Sequence, residues 1–115
     1  MKNTELIKTI ETLREASLAR DQAVWSTLAE ELDKAKRRRV AVNLSRIDRY
    51  TEEGEVVAVP GKVLASGALS KPLKIAAFSF SDTAKQKIEW VKGEYMSLRE
   101  LLDSGIEPSK IRIMK

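Results

Sequence analysis

Apolar residues recur at three- and four-residue spacing over the first third of the chain, a pattern that predicts two amphipathic helices. The first runs from Thr4 to about Ala19, with Leu6, Ile7, Ile10, Leu13 and Ser17 on one stripe and Asn3 placed to cap it. The second takes Asp21 as its cap and Val24, Trp25, Leu28, Leu32 and Ala35 as its stripe, so that Arg20 to Gln22 form the turn of a helical hairpin. Trp25 lies on that stripe and reads as a core anchor rather than a ligand platform. This second helix is expected to run directly into Lys36 to Arg39, whose charge would offset its dipole. The period then changes to two. Val40, Val42 and Leu44 alternate with Ala41 and Asn43, and Asn43 or Ser45 can cap a brief helical turn through Ile47.

Beyond the break at Gly54 the pattern is one of short apolar runs. Glu55 to Val59 is β-branched and reads as a buried strand ended by Pro60-Gly61, with Lys62 to Leu64 as a second short strand before a Ser66-Gly67 turn. Leu73 to Phe80 suits a central strand. Ser81 is positioned to cap a helix from Asp82 to Lys92, stopped by Gly93, with Trp90 off its apolar face. Tyr95 and Met96 fit another strand, Ser97 and Glu100 make a capping box for a helix through Asp103, Gly105 stops it, and Ile111 with Ile113 closes the chain as a strand. Strands alternating with helices predict an α/β fold with a small, mainly parallel sheet.

The 115 residues bound one domain with one sizeable core. Its expected parts are a helical hairpin over 4–36, a basic segment over 37–54 and an α/β body over 55–115. Charge gives the middle part its meaning. From Lys34 to Tyr50, seven bases (Lys34, Lys36, Arg37, Arg38, Arg39, Arg46 and Arg49) face one acid, Asp48, for a net +6. The remaining residues hold fourteen bases and sixteen acids, so the whole +4 of the chain arises in this segment. Charge so concentrated is the footprint of a polyanion-binding surface, whereas charge needed only for solubility would be spread along the chain. Guanidinium groups give bidentate phosphate contacts, and Asn43, Ser45 and Tyr50 add neutral donors able to reach ribose hydroxyls or bases. Folded RNA suits this set better than a DNA duplex, because no recognition helix with base-reading side chains is evident.

Other chemistry is mostly refused. The chain has no cysteine and no histidine, which removes disulfides, thiolate metal sites and catalytic triads. Gly61-Lys62 lacks the Ser or Thr and the upstream glycine of a phosphate-binding loop, no dinucleotide fingerprint exists, and Ser79 and Ser81 have no nucleophile elbow. Carboxylates cluster at Glu30, Glu31 and Asp33 and at Glu52, Glu53 and Glu55. Adjacent residues cannot all converge on one ion, so these are expected to face solvent, and a Mg-dependent nuclease or phosphoryl-transfer enzyme is left without a site. No cofactor and no small-molecule substrate is implied. Neither a signal peptide nor a membrane span is evident, so a soluble, intracellular protein is expected.

The segment from Val42 to Ile88 resembles the archaeal large-ribosomal-subunit protein family called "eighteen-e", a relative of bacterial "L-fifteen". The resemblance is carried by Val42-Asn43-Leu44-Ser45 with Ile47-Asp48-Arg49-Tyr50, by Val59-Pro60-Gly61-Lys62-Val63-Leu64 with Gly67, and by Ala76-Ala77 ahead of Phe80-Ser81. The Trp25 helix, the basic run and the terminal Ile111 to Met114 strand match in order, while Trp90-Val91-Lys92-Gly93 departs from the family's usual small-residue ending of that helix. What the resemblance implies is a non-catalytic constituent of the archaeal large subunit, cytoplasmic and within the ribosome, with ribosomal RNA and neighbouring ribosomal proteins as partners. It implies an irregular strand-strand-helix repeat for the fold. It also places Arg37 to Arg39, Asn43, Ser45, Arg46 and Arg49 against RNA, with Lys62 as a further contact; Lys34, Lys36 and Tyr50 join them on the charge and donor argument above. The competing reading of the same surface is a stand-alone RNA chaperone or regulator.

Overall fold

The computed structural model describes residues 4–34 and 40–115. Asn3 and the run from Ala35 to Arg39 lie outside the described residues, and with them the expected first cap and the core of the basic cluster. Helix α1 (Thr4–Arg20) buries Leu6, Thr9, Ile10, Leu13 and Ala16, a stripe turned slightly from the expected one, so that Ile7 is 41% exposed. Helix α2 (Ala23–Leu32) folds back on α1 and inserts Trp25, Leu28, Ala29 and Leu32. Its cap is not Asp21. That residue takes a left-handed backbone (φ 52°) in the turn, a conformation Asp tolerates, and Gln22 becomes the N-cap. The Gln22 side chain accepts from Trp25 Nε1–H at 2.7 Å and so satisfies the polar atom of the anchor. The helix ends at Leu32, short of Lys36, with Asp33 as its C-cap and partner to Arg14 of α1 at 2.8 Å.

Strands β1 (Val40–Asn43), β2 (Val56–Leu64), β3 (Lys74–Phe80), β4 (Glu94–Ser97) and β5 (Ile111–Ile113) form one sheet in which every pairing is parallel. Helices α3 (Leu44–Tyr50), α4 (Asp82–Trp90) and α5 (Leu98–Asp103) complete the chain with a short 3-10 turn before β5. The hairpin and α5 cover one face through Leu6, Leu13, Trp25, Leu28, Ala58, Ala76 and Leu101. The other face, with α3 and α4, gathers Leu44, Ile47, Val57, Val59, Val63, Ile75, Ala77 and Ile88. Alternation along β2 and β3 therefore feeds two cores, one on each side of the sheet.

β2 departs most from expectation. Pro60-Gly61 does not end it; the strand continues to Leu64, and the register against β3 shifts between Val59 and Lys62. A bulge is where a strand can hold proline, which has no N–H to donate to a ladder. On its other side β2 is shared between two strands placed end to end, with β5 along Val56 to Ala58 and β1 along Gly61 to Leu64. Gly61 stands opposite Val40, where an added Cβ would overlap the Val40 carbonyl oxygen, so the site excludes any side chain.

Local signals fare well elsewhere. Ser81 caps α4 by accepting from Ala84 N–H, and Ser97 with Glu100 forms the full capping box of α5. Helix α4 stops at Trp90, two residues before the expected Lys92, and the left-handed residue of its ending is Lys92 (φ 61°) rather than Gly93. Gly93 serves close packing instead, since a Cβ there would lie 2.8 Å from the Leu73 carbonyl. Trp90 is 72% exposed. Replacing Gly61 by Ala is expected to destabilise the protein by about 2 kcal/mol or more through overpacking at backbone, seen as a lower urea midpoint with an unchanged slope.

Candidate nucleic-acid interface

The part of the basic segment described in the structure is β1 and α3, and packing on one side of α3 fixes what its other side presents. Leu44 and Ile47 are fully buried against the sheet, which leaves Ser45, Arg46, Arg49 and Tyr50 exposed. Asn43 is the N-cap by position but its side chain makes no capping bond. Its Oδ1 accepts instead from Ser66 N–H at 3.2 Å, while Ser45 N–H donates to the Ser66 carbonyl at 3.1 Å, so both ends of this junction are tied to the 66–70 loop. The helical turn is also longer than expected, continuing past Ile47 to Tyr50, where Thr51 donates its hydroxyl back to the Ile47 carbonyl at 2.6 Å.

Asp48, the one acid of the segment, is spent on the same loop. Its carboxylate accepts from Ser70 N–H at 2.9 Å and from the Ser70 hydroxyl at 3.0 Å, and Lys71 Nζ donates to the Asp48 carbonyl at 2.8 Å. The Ser70 backbone N–H, opposed by partial burial and helped by the Ser70 hydroxyl and the Lys71 charge, holds the Asp48 carboxyl below the ordinary carboxylate range. Positions 46 and 49 are two and one residues from Asp48 and do not face it on a helix. Arg46 and Arg49 accordingly form no ion pair with any described carboxylate. Their charge is uncompensated and points outward.

The acids near this surface are not all solvated as expected. Glu31 is buried, 7% exposed, and pairs with both Lys34 and Lys115 at 2.8 Å. The Lys115 hydrogen bond first and the Lys34 one next lower its pKa against the cost of burial. Glu55 pairs with Arg112 at 2.7 Å, which lowers the Glu55 pKa and raises that of the guanidinium. The ion pairs reach from α2 and the Gly54 turn to the last residues of the chain.

The expected site residues are thus not all gathered in one place. Arg46, Arg49 and Tyr50 share α3; Asn43 and Ser45 are engaged with the 66–70 loop; Lys34 pairs with Glu31 beside the end of α2. Lys62 is exposed, but as strand neighbour of buried Val63 it projects from the opposite face of the sheet to α3. Lys36, Arg37, Arg38 and Arg39 lie outside the described residues. A surface hollow of about 270 Å³ joins Arg46 and Tyr50 to Arg112, Ile113, Met114 and Lys115. Those last four residues are more than sixty positions from α3, and no local pattern connects them with it.

The fold and this outward basic helix define a class already described among known proteins: residues 41–96 match the family of ribosomal proteins that unites 50S-L15 and 50S-L18e with a 60S counterpart. Likeness extends along nearly the whole chain to large ribosomal subunit protein eL18 of Haloarcula marismortui, 43% identical over 113 residues that cover 98% of this chain and 97% of the relative. The eL18 proteins of Methanococcus maripaludis (41% over 112 residues, 97% and 93% covered) and Archaeoglobus fulgidus (41% over 112 residues, 97% and 96% covered) are similar to it in the same way. The chain belongs to the eL18 family of large ribosomal subunit proteins.

Because the Asp48 pKa is lowered in the folded state, its stabilisation is complete at neutral pH and is lost as pH falls below about 5. Asp48→Asn is expected to cost about 1 kcal/mol at pH 7 and to flatten the acid limb of a stability-against-pH curve, measured by urea denaturation from pH 7 to pH 3. A parallel downward shift at all pH values would place the stabilisation elsewhere.

Proposed function

We propose that the protein is a non-catalytic structural constituent of the archaeal large ribosomal subunit that binds ribosomal RNA, working in the cytoplasm within the ribosome beside neighbouring ribosomal proteins. The observation that carries the reading is the likeness, near 40% and almost end to end, to archaeal proteins named as parts of that subunit. The α3 surface supports it with a mechanism. Arg46 and Arg49 are held outward because the one acid of their segment is engaged elsewhere, and Tyr50 beside them is 56% exposed. On this reading Lys34, Lys36, Arg37, Arg38, Arg39, Arg46 and Arg49 meet phosphate and position the protein, while Asn43, Ser45 and Tyr50 act near ribose and base. Lys62 contacts RNA from the opposite face of the sheet. The 115 residues act as one ribosomal-protein domain, with the hairpin and α/β body holding the basic segment in register.

In sucrose-gradient sedimentation of cell extract the protein is expected to travel with large subunits; a stand-alone RNA chaperone or regulator would stay in the light fractions. Binding to large-subunit ribosomal RNA should weaken with salt. Replacing Arg37, Arg38 and Arg39 together by Ala should reduce the slope of log affinity against log salt by roughly two to three units, and an unchanged slope would remove those arginines from the interface.

A further inference from the structure

We infer that the RNA surface is completed by the C-terminal strand, and that the hollow between α3 and residues 112–115 holds a single unstacked nucleotide, its base on the Tyr50 ring and its flanking phosphates on Arg46, Arg112 and Lys115. The inference rests on the RNA-binding reading above and adds to it a place, a set of residues outside the basic segment and a ligand of defined kind.

Four observations meet at this point. Arg46 and Tyr50 are four residues apart on α3 and thus share a face, and both line the hollow. Tyr50 is more exposed than any other aromatic side chain described except Trp90, and no described ring stacks on it. Across the hollow stand Arg112 and Lys115, each about half exposed. Finally, the space of about 270 Å³ is concave and open, suited to one splayed base rather than to the backbone of a regular duplex.

The internal ion pairs of Arg112 and Lys115 orient these cations without exhausting them. Arg112 gives Nε and one Nη to Glu55, at 2.7 and 3.3 Å, and a guanidinium has five N–H donors. Lys115 gives one bond of 2.8 Å to Glu31, and an ammonium has three donors. Both head groups are therefore pre-set at the rim with donors to spare, so little side-chain freedom is lost when a phosphate arrives. An exposed aromatic ring bordered by cations is the arrangement by which proteins hold single-stranded bases: stacking supplies sequence-tolerant affinity and the cations track the backbone.

The test measures binding of the full chain to deproteinised large-subunit ribosomal RNA by filter retention across a salt series. Arg112→Gln and Lys115→Ala are each expected to weaken binding and to lower the salt slope by about one unit. Glu55→Gln breaks the same ion pair as Arg112→Gln but keeps the cation, so it should not weaken binding. Tyr50→Ala should weaken it by roughly fivefold to a hundredfold with little change in slope, and Tyr50→Phe should recover most of that loss. Ultraviolet crosslinking followed by mass spectrometry should join Tyr50 to one nucleotide. If Arg46→Ala weakens binding while Arg112→Gln and Lys115→Ala bind as the parent does, the C-terminal strand is not part of the surface and the inference falls while the RNA-binding reading stands. If the cation variants weaken binding but Tyr50→Ala does not, the hollow holds phosphate alone and the nucleotide assignment is overturned. A parent chain that fails to bind this RNA overturns both.

Discussion

Everything in this fold is aligned by the two edges of β2. One edge carries β3 along nearly its whole length; the other is divided, with β5 on Val56 to Ala58 and β1 on Gly61 to Leu64. The division falls at Pro60-Gly61, where proline cannot donate to a ladder and glycine makes room for the Val40 carbonyl. Because α3 follows β1 without an intervening loop, the register of β1 on β2 also sets where α3 lies. Leu44 and Ile47 then lock its rotation, and the 66–70 loop, which leaves the far end of β2, secures it from the side through Ser66 and Ser70.

Electrostatic order follows from this placement. Acids close to the basic surface are assigned to internal partners: Asp48 to Ser70 and Lys71, Glu55 to Arg112, Glu31 to Lys34 and Lys115. Each carboxylate is held ionised by its own hydrogen-bond donors, so none has to be neutralised by Arg46 or Arg49. Exposed ion pairs contribute little to stability, and their value here is chiefly positional. They keep negative charge from collapsing onto the arginines of α3.

Features decided within a few residues were legible in the chain itself. The caps at Ser81 and Ser97, the hairpin turn near Arg20 to Gln22, the interior place of Trp25 and the parallel α/β class all rest on short-range chemistry or hydrophobic period. Misreadings arose where a distant partner decides. Pro60-Gly61 looks like a strand end until β1 is seen to need that glycine, and Gly93 looks like a helix stop until Leu73 is seen to press on it. Glu31 and Glu55 read as solvated because Lys115 and Arg112, their partners, are far along the chain. For the interface, Arg46, Arg49 and Tyr50 stood out through charge and spacing, but the hollow that Arg46 and Tyr50 share with the C-terminal strand is a product of the fold alone. The resemblance in Val42 to Ile88 pointed to the family that whole-chain likeness then established.

The end-to-end seating of β5 and β1 bears on the order in which the molecule can form. These two strands complete one edge of β2 yet are separated by almost the entire α/β body, so closing that edge waits on the most remote segment of the polypeptide. During synthesis, a chain that has emerged only as far as α5 can assemble β1 to β4 and both cores, but it keeps Val56 to Ala58 unpaired on one side. Parallel pairings of such long separation are slow to close because loop entropy must be overcome first. The final step of maturation is thus the docking of three residues, Ile111 to Ile113, into a gap already framed by the rest of the sheet.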